Sequence, residues 1–574
     1  MTRSRPRQRR TAAPPRPARR APPPAATAPA AGRAGPRAVA AAAALALYPL
    51  VGLAGLAAAF HPTLASGFAR MQTDPGDPLF TNYLLEHYVR LATRPGYAGR
   101  LWSPPFFYPA QQVLAYSENL LGVAPLYGAL RLACSPTLAH QLLTMLALAL
   151  TFGSMAFVLR RLGAGHPLAA LGGFCFAFGM WRVVQISHLQ LLVAYWAPLA
   201  LLAVRGLFVA PSRRGVAAAL ALLYLQILSS IYLGWFLLLG MGLFACLYGL
   251  VDGGARQRLL AFWRGHAAFV SLAVAVWLAA TYLTLAPYVA AGREVGVRSW
   301  EVVKIFLPRP QSWLAVPEGS LYGGFLRPFP PDTPVLWEHL LFPGFVVLGL
   351  GLLSARHLLR HGGADRAGEG EPPGDDEDER AAGRALLLAC WGTALALVLL
   401  SLYLPIGHGR GLSLWRIVYY AVPGAGAIRA VGRIASVVYL FGLVAVFVGA
   451  QQAICRLDLR PPGRRALLAL LLVAGMADQS VRGLPSFEKG PFLEQVERTR
   501  SAIPPGCRAA YVRLRADQPF FVSQLAAMWA GLEANVPVIN GYSGNSPPGY
   551  PDPTRTMSEA QLEHWFGGKK CVVR

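Results

Sequence analysis

The chain has 574 residues, of which 54% are hydrophobic and only 14% charged, and a formal net charge of +25. That composition excludes a water-soluble protein, because the apolar residues come in runs long enough to cross a bilayer whose hydrocarbon core is about 30 Å thick. The positive balance does not point to nucleic acid: residues 1–37 carry ten Arg and no acid among Pro and Ala, a tail that buries no core and instead holds its end on the cytoplasmic side against anionic lipid.

Apolar runs follow at about 38–60, 137–158, 167–181, 189–209, 216–229, 232–250, 267–289, 338–355, 384–404, 433–454 and 465–478. They predict an all-α polytopic membrane protein with about 11 spans, the run near Ser229-Ser230 being broken. The first run is full length and its charged preamble is long, which excludes a cleavable secretory signal. With the N-terminus cytoplasmic, the short basic connections Arg160-Arg161, Arg213-Arg214, Arg256 to Arg264 and Arg460 to Arg465 fall inside, as the positive-inside rule asks. Three domains result: the tail 1–37, a transmembrane domain 38–478, and an extracytoplasmic segment 479–574. The cytoplasmic loop 356–383, with Asp375-Asp376-Glu377-Asp378-Glu379, reads as a solvated linker.

The first outer loop, 61–136, opens with Gln72-Thr73-Asp74-Pro75-Gly76-Asp77-Pro78. Residues 79–94 and 110–133 have helical spacing and predict two amphipathic helices lying along the interface. Between them, Trp102 to Pro109 places aromatics at headgroup depth. The segment 479–574 is read as small and α/β, with strands at 509–514 and 536–539, a Gly-rich Asn540-Gly541-Tyr542-Ser543-Gly544-Asn545 stretch, and a final strand at Lys570 to Arg574. The seven cysteines show no CxxC spacing, which speaks against metal binding through sulfur. Cys507 and Cys571 both fall in the outer segment, where a disulfide can form.

Candidate site residues gather on this outer side. Asp77, with Asp74 as alternate, suits a general base, although both also suit ordinary turn chemistry. Arg293, Arg298, Lys304, Arg309 and Arg327 lie in the second outer loop, and Arg410, Arg416, Arg429 and Arg433 in or beside the third. With few outer acids to pair them, these cations call for phosphate or lipid headgroups. Arg429 and Arg433 are four apart and would share one helix face at the mouth of a span. His188 and Gln190 occupy a tight outer turn, and Glu118 heads toward the same side as a second carboxylate or a surface charge.

These stretches carry a resemblance. Asp74-Pro-Gly-Asp77-Pro, Phe107-Tyr108-Pro109, Ser117-Glu118-Asn119-Leu120-Leu121-Gly122, His188-Leu189-Gln190 with Trp196-Ala197-Pro198, Arg429-xxx-Arg433 and Asn540-Gly541-Tyr542-Ser543-Gly544 resemble the integral-membrane glycosyltransferases of the GT-C fold, among them mannosyltransferase-like, arabinosyltransferase-like and YfhO-like bacterial proteins. The resemblance spans most of residues 38–574 and implies a GT-C-like bundle in the cytoplasmic membrane. It implies a polyprenyl-phosphate sugar donor, a glycan, lipid or protein acceptor of the cell envelope, and transfer on the outer face. Asp77 then takes the base role and the reaction inverts at the sugar. Arg429, Arg433, Arg293, His188, Gln190 and Glu118 become substrate-binding candidates. Metal-dependent members have two acids two apart, whereas Asp74 and Asp77 are three apart, so a divalent cation (Mg or Mn) is left open. The alternatives are a transporter or flippase for lipid-linked sugars, which would show internal repeats and mid-bilayer charges, and a non-catalytic envelope assembly protein.

Overall fold

The computed structural model describes residues 2, 36–330, 333–361, 375–406 and 411–573. Most of the predicted tail 1–37, residues 362–374 of the predicted linker, and Arg410 lie outside them. Residues 1–46 form one unit, whose described part is chiefly the start of helix α1 (Pro36–Ala59); residues 47–574 form the other.

Every apolar run falls on a helix: α1, then, after α2 (Asp77–Thr93) and α3 (Ala124–Arg131), α4 (Pro136–Arg161), α5 (His166–Phe178), α6 (Trp196–Val209), α7 (Arg213–Ser229), α8 (Ile231–Val251), α9 (Ala267–Val295), α10 (Phe345–His361), α11 (Asp375–Ser401), α12 (Ala435–Cys455) and α13 (Pro461–Gln479). Among the described residues, six stretches are long and apolar enough to cross a membrane: Pro136–Arg161, Leu189–Val209, Ile231–Val251, Ala267–Val295, Arg380–Ser401 and Val431–Cys455. The acidic run from Asp375 begins α11 and is therefore helical, not linker.

Helix α12 is the axis of the bundle. It packs against α5, α10 and α11, and 89% of its apolar window is buried in protein. Helix α9 is just as apolar but only 11% buried, the exposure expected where lipid replaces protein as the neighbour. The α7/α8 break has a visible cause. Ser230 leaves the helix and accepts a hydrogen bond from Leu233 N, while the Glu118 carboxylate accepts from Ile231 N at 2.7 Å and Tyr232 N at 3.2 Å. A buried helix start needs partners for its first N–H groups, and Glu118 supplies two.

The first long loop differs from the sequence expectation. Helix α2 does not lie along an interface: residues Pro78 through Tyr88 are buried without interruption. Part of the cover comes from α3 and α4 and part from the far end of the chain. Strand β1 (Arg70–Gln72) pairs antiparallel with β2 (Ser486–Glu488). Helix α14 (Lys489–Ala502) packs on α15 (Phe520–Ala534), and Trp529 of α15 donates to the Leu79 carbonyl at 3.1 Å. Phe106 and Phe107 are likewise buried, not at headgroup depth: Phe107 packs edge-on against Tyr550 at 4.6 Å, and its backbone N–H bonds the Asn540 carbonyl. The second predicted interfacial helix is a 3-10 turn (Val113–Tyr116), an irregular stretch and α3, because Glu118 and Asn119 spend their side chains on the α8 start and on Leu121 N.

Strands β3 (Ala510–Val512) and β4 (Cys571–Val573) pair in parallel, and Cys507 and Cys571 form a disulfide at their ends. Segment 479–574 carries helices and short strands, and it shares one hydrophobic core with the first long loop. The second and third long loops join the same assembly: Arg298 bonds the Gly544 carbonyl and Asn545 Oδ1, and the Tyr419 hydroxyl donates to the Arg298 carbonyl.

Candidate active site

Asp77 is the first residue of α2, preceded by a turn that Asp74 closes by accepting from Gly76 N at 2.8 Å. A carboxylate at a helix N-terminus sits in the favourable field of the unpaired N–H groups. Its side chain is 33% exposed, so an oxygen remains reachable. The Tyr542 hydroxyl donates to Oδ1 at 2.9 Å, and His188 Nε2 lies 3.0 Å from Oδ2. His188 Nδ1 is 2.9 Å from Ser187 Oγ. A proton on Nε2 lets the imidazole donate to Asp77, while Nδ1 meets the Ser187 hydroxyl. Burial acts to raise the Asp77 pKa, but the His188 hydrogen bond and charge, the Tyr542 hydroxyl and the Arg433 charge together hold it below the ordinary carboxylate range. The same proximity, with burial first, pushes the Tyr542 phenol up, so it acts as a hydroxyl donor and not as a base.

Arg433 is 12% exposed and gives Nε and Nη2 to Glu338 Oε1, at 3.0 and 2.8 Å; Glu338 itself is 1% exposed. The guanidinium lies 5.4 Å from the Tyr232 ring. The predicted shared helix face with Arg429 does not exist. Residues 425–427 and 431–434 are separate 3-10 turns, with Gly424 at φ +82° initiating the first, so Arg429 sits between two turns. Arg429 stacks over Phe306 at 5.2 Å, and its backbone N–H bonds the Tyr232 hydroxyl. Arg298, a cation the motif pattern did not single out, bears electrostatically on Arg429; burial and that like charge both lower its pKa. Two guanidiniums that repel one another call for an anion.

Other candidates are placed elsewhere. Glu118 serves the α8 start; it is 7% exposed, and burial raises its pKa against the opposing pull of Ile231 and Tyr232 N–H, Arg433 and Ser230. Asp74 is exposed and used in its turn. Arg293 is exposed in the last turn of α9 and makes no hydrogen bond or ion pair among the described residues. Gln190 is buried with its Oε1 lacking a hydrogen-bond partner. Sequence reasoning named Arg298 only among the outer cations and passed over Tyr542 and Glu338 as site residues. Glu338 had a usable signal, a lone acid at the head of an apolar run, which needs a cation.

Arg182, Gln185, Glu338, Arg433 and Ser436 line one pocket with about 310 Å³ of empty space, part of it open solvent. Arg182 is 1% exposed, sandwiched between Phe176 and Trp181. Arg182 Nη2, Gln185 Oε1 and Glu338 Oε2 are buried without a hydrogen-bond partner. A donor and two acceptors in one pocket match groups that both give and take hydrogen bonds, as hydroxyls and water do.

A divalent ion does not fit this donor set. Asp74 is turned to Gly76 N, and no group of three His, Cys, Asp or Glu able to hold a metal occurs among the described residues.

No family model and no curated protein matches the chain. Among solved structures the chain is similar to ArnT from Cupriavidus metallidurans in the apo state, at 13% identity over 87% of this chain and 86% of that one, with a TM-score of 0.34, a likeness too loose to transfer any residue's role.

Proposed function

We propose that the chain is a membrane glycosyltransferase that moves a sugar from a polyprenyl-phosphate donor to an acceptor hydroxyl on the outer face of the cytoplasmic membrane, its N-terminus inside and C-terminus outside. The observation that carries this reading is the Asp77 carboxylate: reachable, held by two side-chain donors, and within reach of the Arg433 charge from the third long loop. The site residues that resemble the GT-C class support it further.

In this mechanism Asp77 removes the proton from the acceptor hydroxyl as that oxygen bonds to the anomeric carbon. The bond from the anomeric carbon to the phosphate oxygen breaks, its electron pair leaves on the phosphate, and direct displacement inverts the sugar. Arg298 and Arg429 take the growing phosphate charge, a role to which Arg433, already neutralised by Glu338, contributes less. No step uses a metal ion.

The test is a pair of assays on the purified chain in proteoliposomes: transfer of radiolabelled sugar from a polyprenyl-phosphate donor to an acceptor lipid or glycan, and movement of that donor across the bilayer. Transfer without movement supports the enzyme. Movement without transfer supports a flippase, and neither activity supports an assembly role.

A further inference from the structure

We propose that Tyr542, delivered by the segment that follows the last apolar helix, is the positioning residue of the Asp77 carboxylate, which makes that segment a working part of the site. The proposal rests on the reading of Asp77 as the base. Tyr542 is 465 residues from Asp77 in sequence, yet its hydroxyl donates to Oδ1 at 2.9 Å. Its ring stands edge-on to Phe80 at 5.4 Å and 6.2 Å from Phe521. Phenylalanine would serve those ring contacts as well; only the hydroxyl needs Asp77.

The chain around Tyr542 is fixed from both sides. Asn540 is fully buried and accepts from Val512 N at 2.7 Å while donating to the Val512 carbonyl and to Gln524 Oε1; Gln524 Oε1 also accepts from Gly541 N. Gly541 has to be glycine, because a Cβ there would lie 2.2 Å from the Phe107 ring. Beyond Tyr542, Arg298 holds the Gly544 carbonyl and Asn545. A buried asparagine with its amide fully used specifies a conformation, not just a contact. With His188 on Oδ2 and Tyr542 on Oδ1, rotation of the carboxylate is blocked, and a lone pair stays available to an acceptor hydroxyl.

Other groups acting on Asp77 bound the effect. Asp74 lies on the same loop, His188 and Arg433 act directly, Arg429 acts on Tyr542, and Glu338 acts on both His188 and Arg433. On the α4 side, His140 bonds Thr81, which donates to the Asp77 carbonyl. None of these changes when the Tyr542 hydroxyl is removed. Losing a donor destabilises the ionised carboxylate, so its titration midpoint must move to higher pH.

The experiment titrates Asp77 by infrared spectroscopy in the full chain in proteoliposomes without substrate, using Asp77→Asn to assign the band. The proposal predicts a midpoint at higher pH in Tyr542→Phe and no movement in Phe521→Leu, which loosens the ring and keeps the hydroxyl. Site-specific 3-fluorotyrosine at 542, a stronger donor, moves the midpoint down and needs no loss of packing. In transfer assays Tyr542→Phe lowers kcat about tenfold, leaves KM for the donor unchanged, and moves the acid limb of the pH profile upward. An unmoved midpoint in Tyr542→Phe and in the fluorotyrosine protein, or an equal shift in Phe521→Leu, overturns the proposal. A wild type that transfers no sugar while the midpoints move as predicted overturns the enzyme reading and leaves the positioning contact standing.

Discussion

Asp77 and Glu118 come from the same long loop, and the charge of Arg433 reaches both. Their partners separate them. Asp77 accepts from two side chains and is a third exposed, whereas Glu118 accepts from backbone N–H groups at the start of α8 and is nearly sealed. A carboxylate sealed over a helix start offers no oxygen to an acceptor hydroxyl; one held by a hydroxyl and an imidazole, and a third exposed, does. The usefulness of an acid therefore depends on what holds it, not on its loop or its distance from a cation.

The two acids also respond oppositely to pH. The Asp77 pKa is lowered in the fold, so its contribution to stability is present above the ordinary carboxylate pKa and lost as pH falls through the lowered value. The Glu118 pKa is raised, so its contribution is largest below the ordinary value and is lost as pH rises through the raised one. Replacing each by its amide and following unfolding against pH checks both signs: the acid-side loss flattens in Asp77→Asn, and the loss on raising pH flattens in Glu118→Gln.

The contrast can be pressed hardest at Glu338, which neutralises the cation both acids share. Glu338→Gln leaves Arg433 buried and uncompensated, and should cost about 3–5 kcal/mol of stability; unchanged thermal unfolding would contradict the pairing. Glu118→Ala should cost about 1–3 kcal/mol, because two helix-start N–H groups lose their partner. Its transfer rate per folded molecule should stay within a few-fold of wild type, roughly the spread of substitutions outside the chemistry. Arg298→Ala or Arg429→Ala should lower kcat/KM for the lipid donor about tenfold, the scale of one charge-assisted contact. Asp74→Ala should change transfer by less than about twofold, as for an exposed turn residue. A larger loss there would make Asp74 part of the site.

The apolar runs were legible as helices because length and continuity are local properties; that each run would be helical needed no knowledge of its neighbours. Depth within the bundle was not legible, since α9 and α12 are both apolar, one largely exposed and the other wrapped by protein. The start of α2 at Asp77 was close to the predicted boundary, but its burial was not foreseeable. The sequence pattern of residues 79–94 shows a helix with polar positions; Thr81 finds His140 and Glu86 finds Tyr127 and Arg131, while Trp529, which bonds the Leu79 carbonyl, arrives more than four hundred residues later. Spacing alone misplaced Arg429 and Arg433, because a four-residue interval puts two side chains on one face only if the intervening chain is helical, and here two short turns interrupt it. Tyr542 was visible within its Gly-rich stretch, yet nothing local says that its hydroxyl meets an acid from the other end of the chain.

The central claim concerns one proton-accepting group. The most direct measurement compares wild type and Asp77→Asn in proteoliposomes supplied with a radiolabelled polyprenyl-phosphate sugar, with thermal unfolding followed on the same samples. The account predicts that the asparagine variant unfolds as a cooperative, inserted protein but transfers sugar about a thousandfold more slowly, the scale of a lost general base. Turnover at the wild-type rate in the folded variant would contradict it.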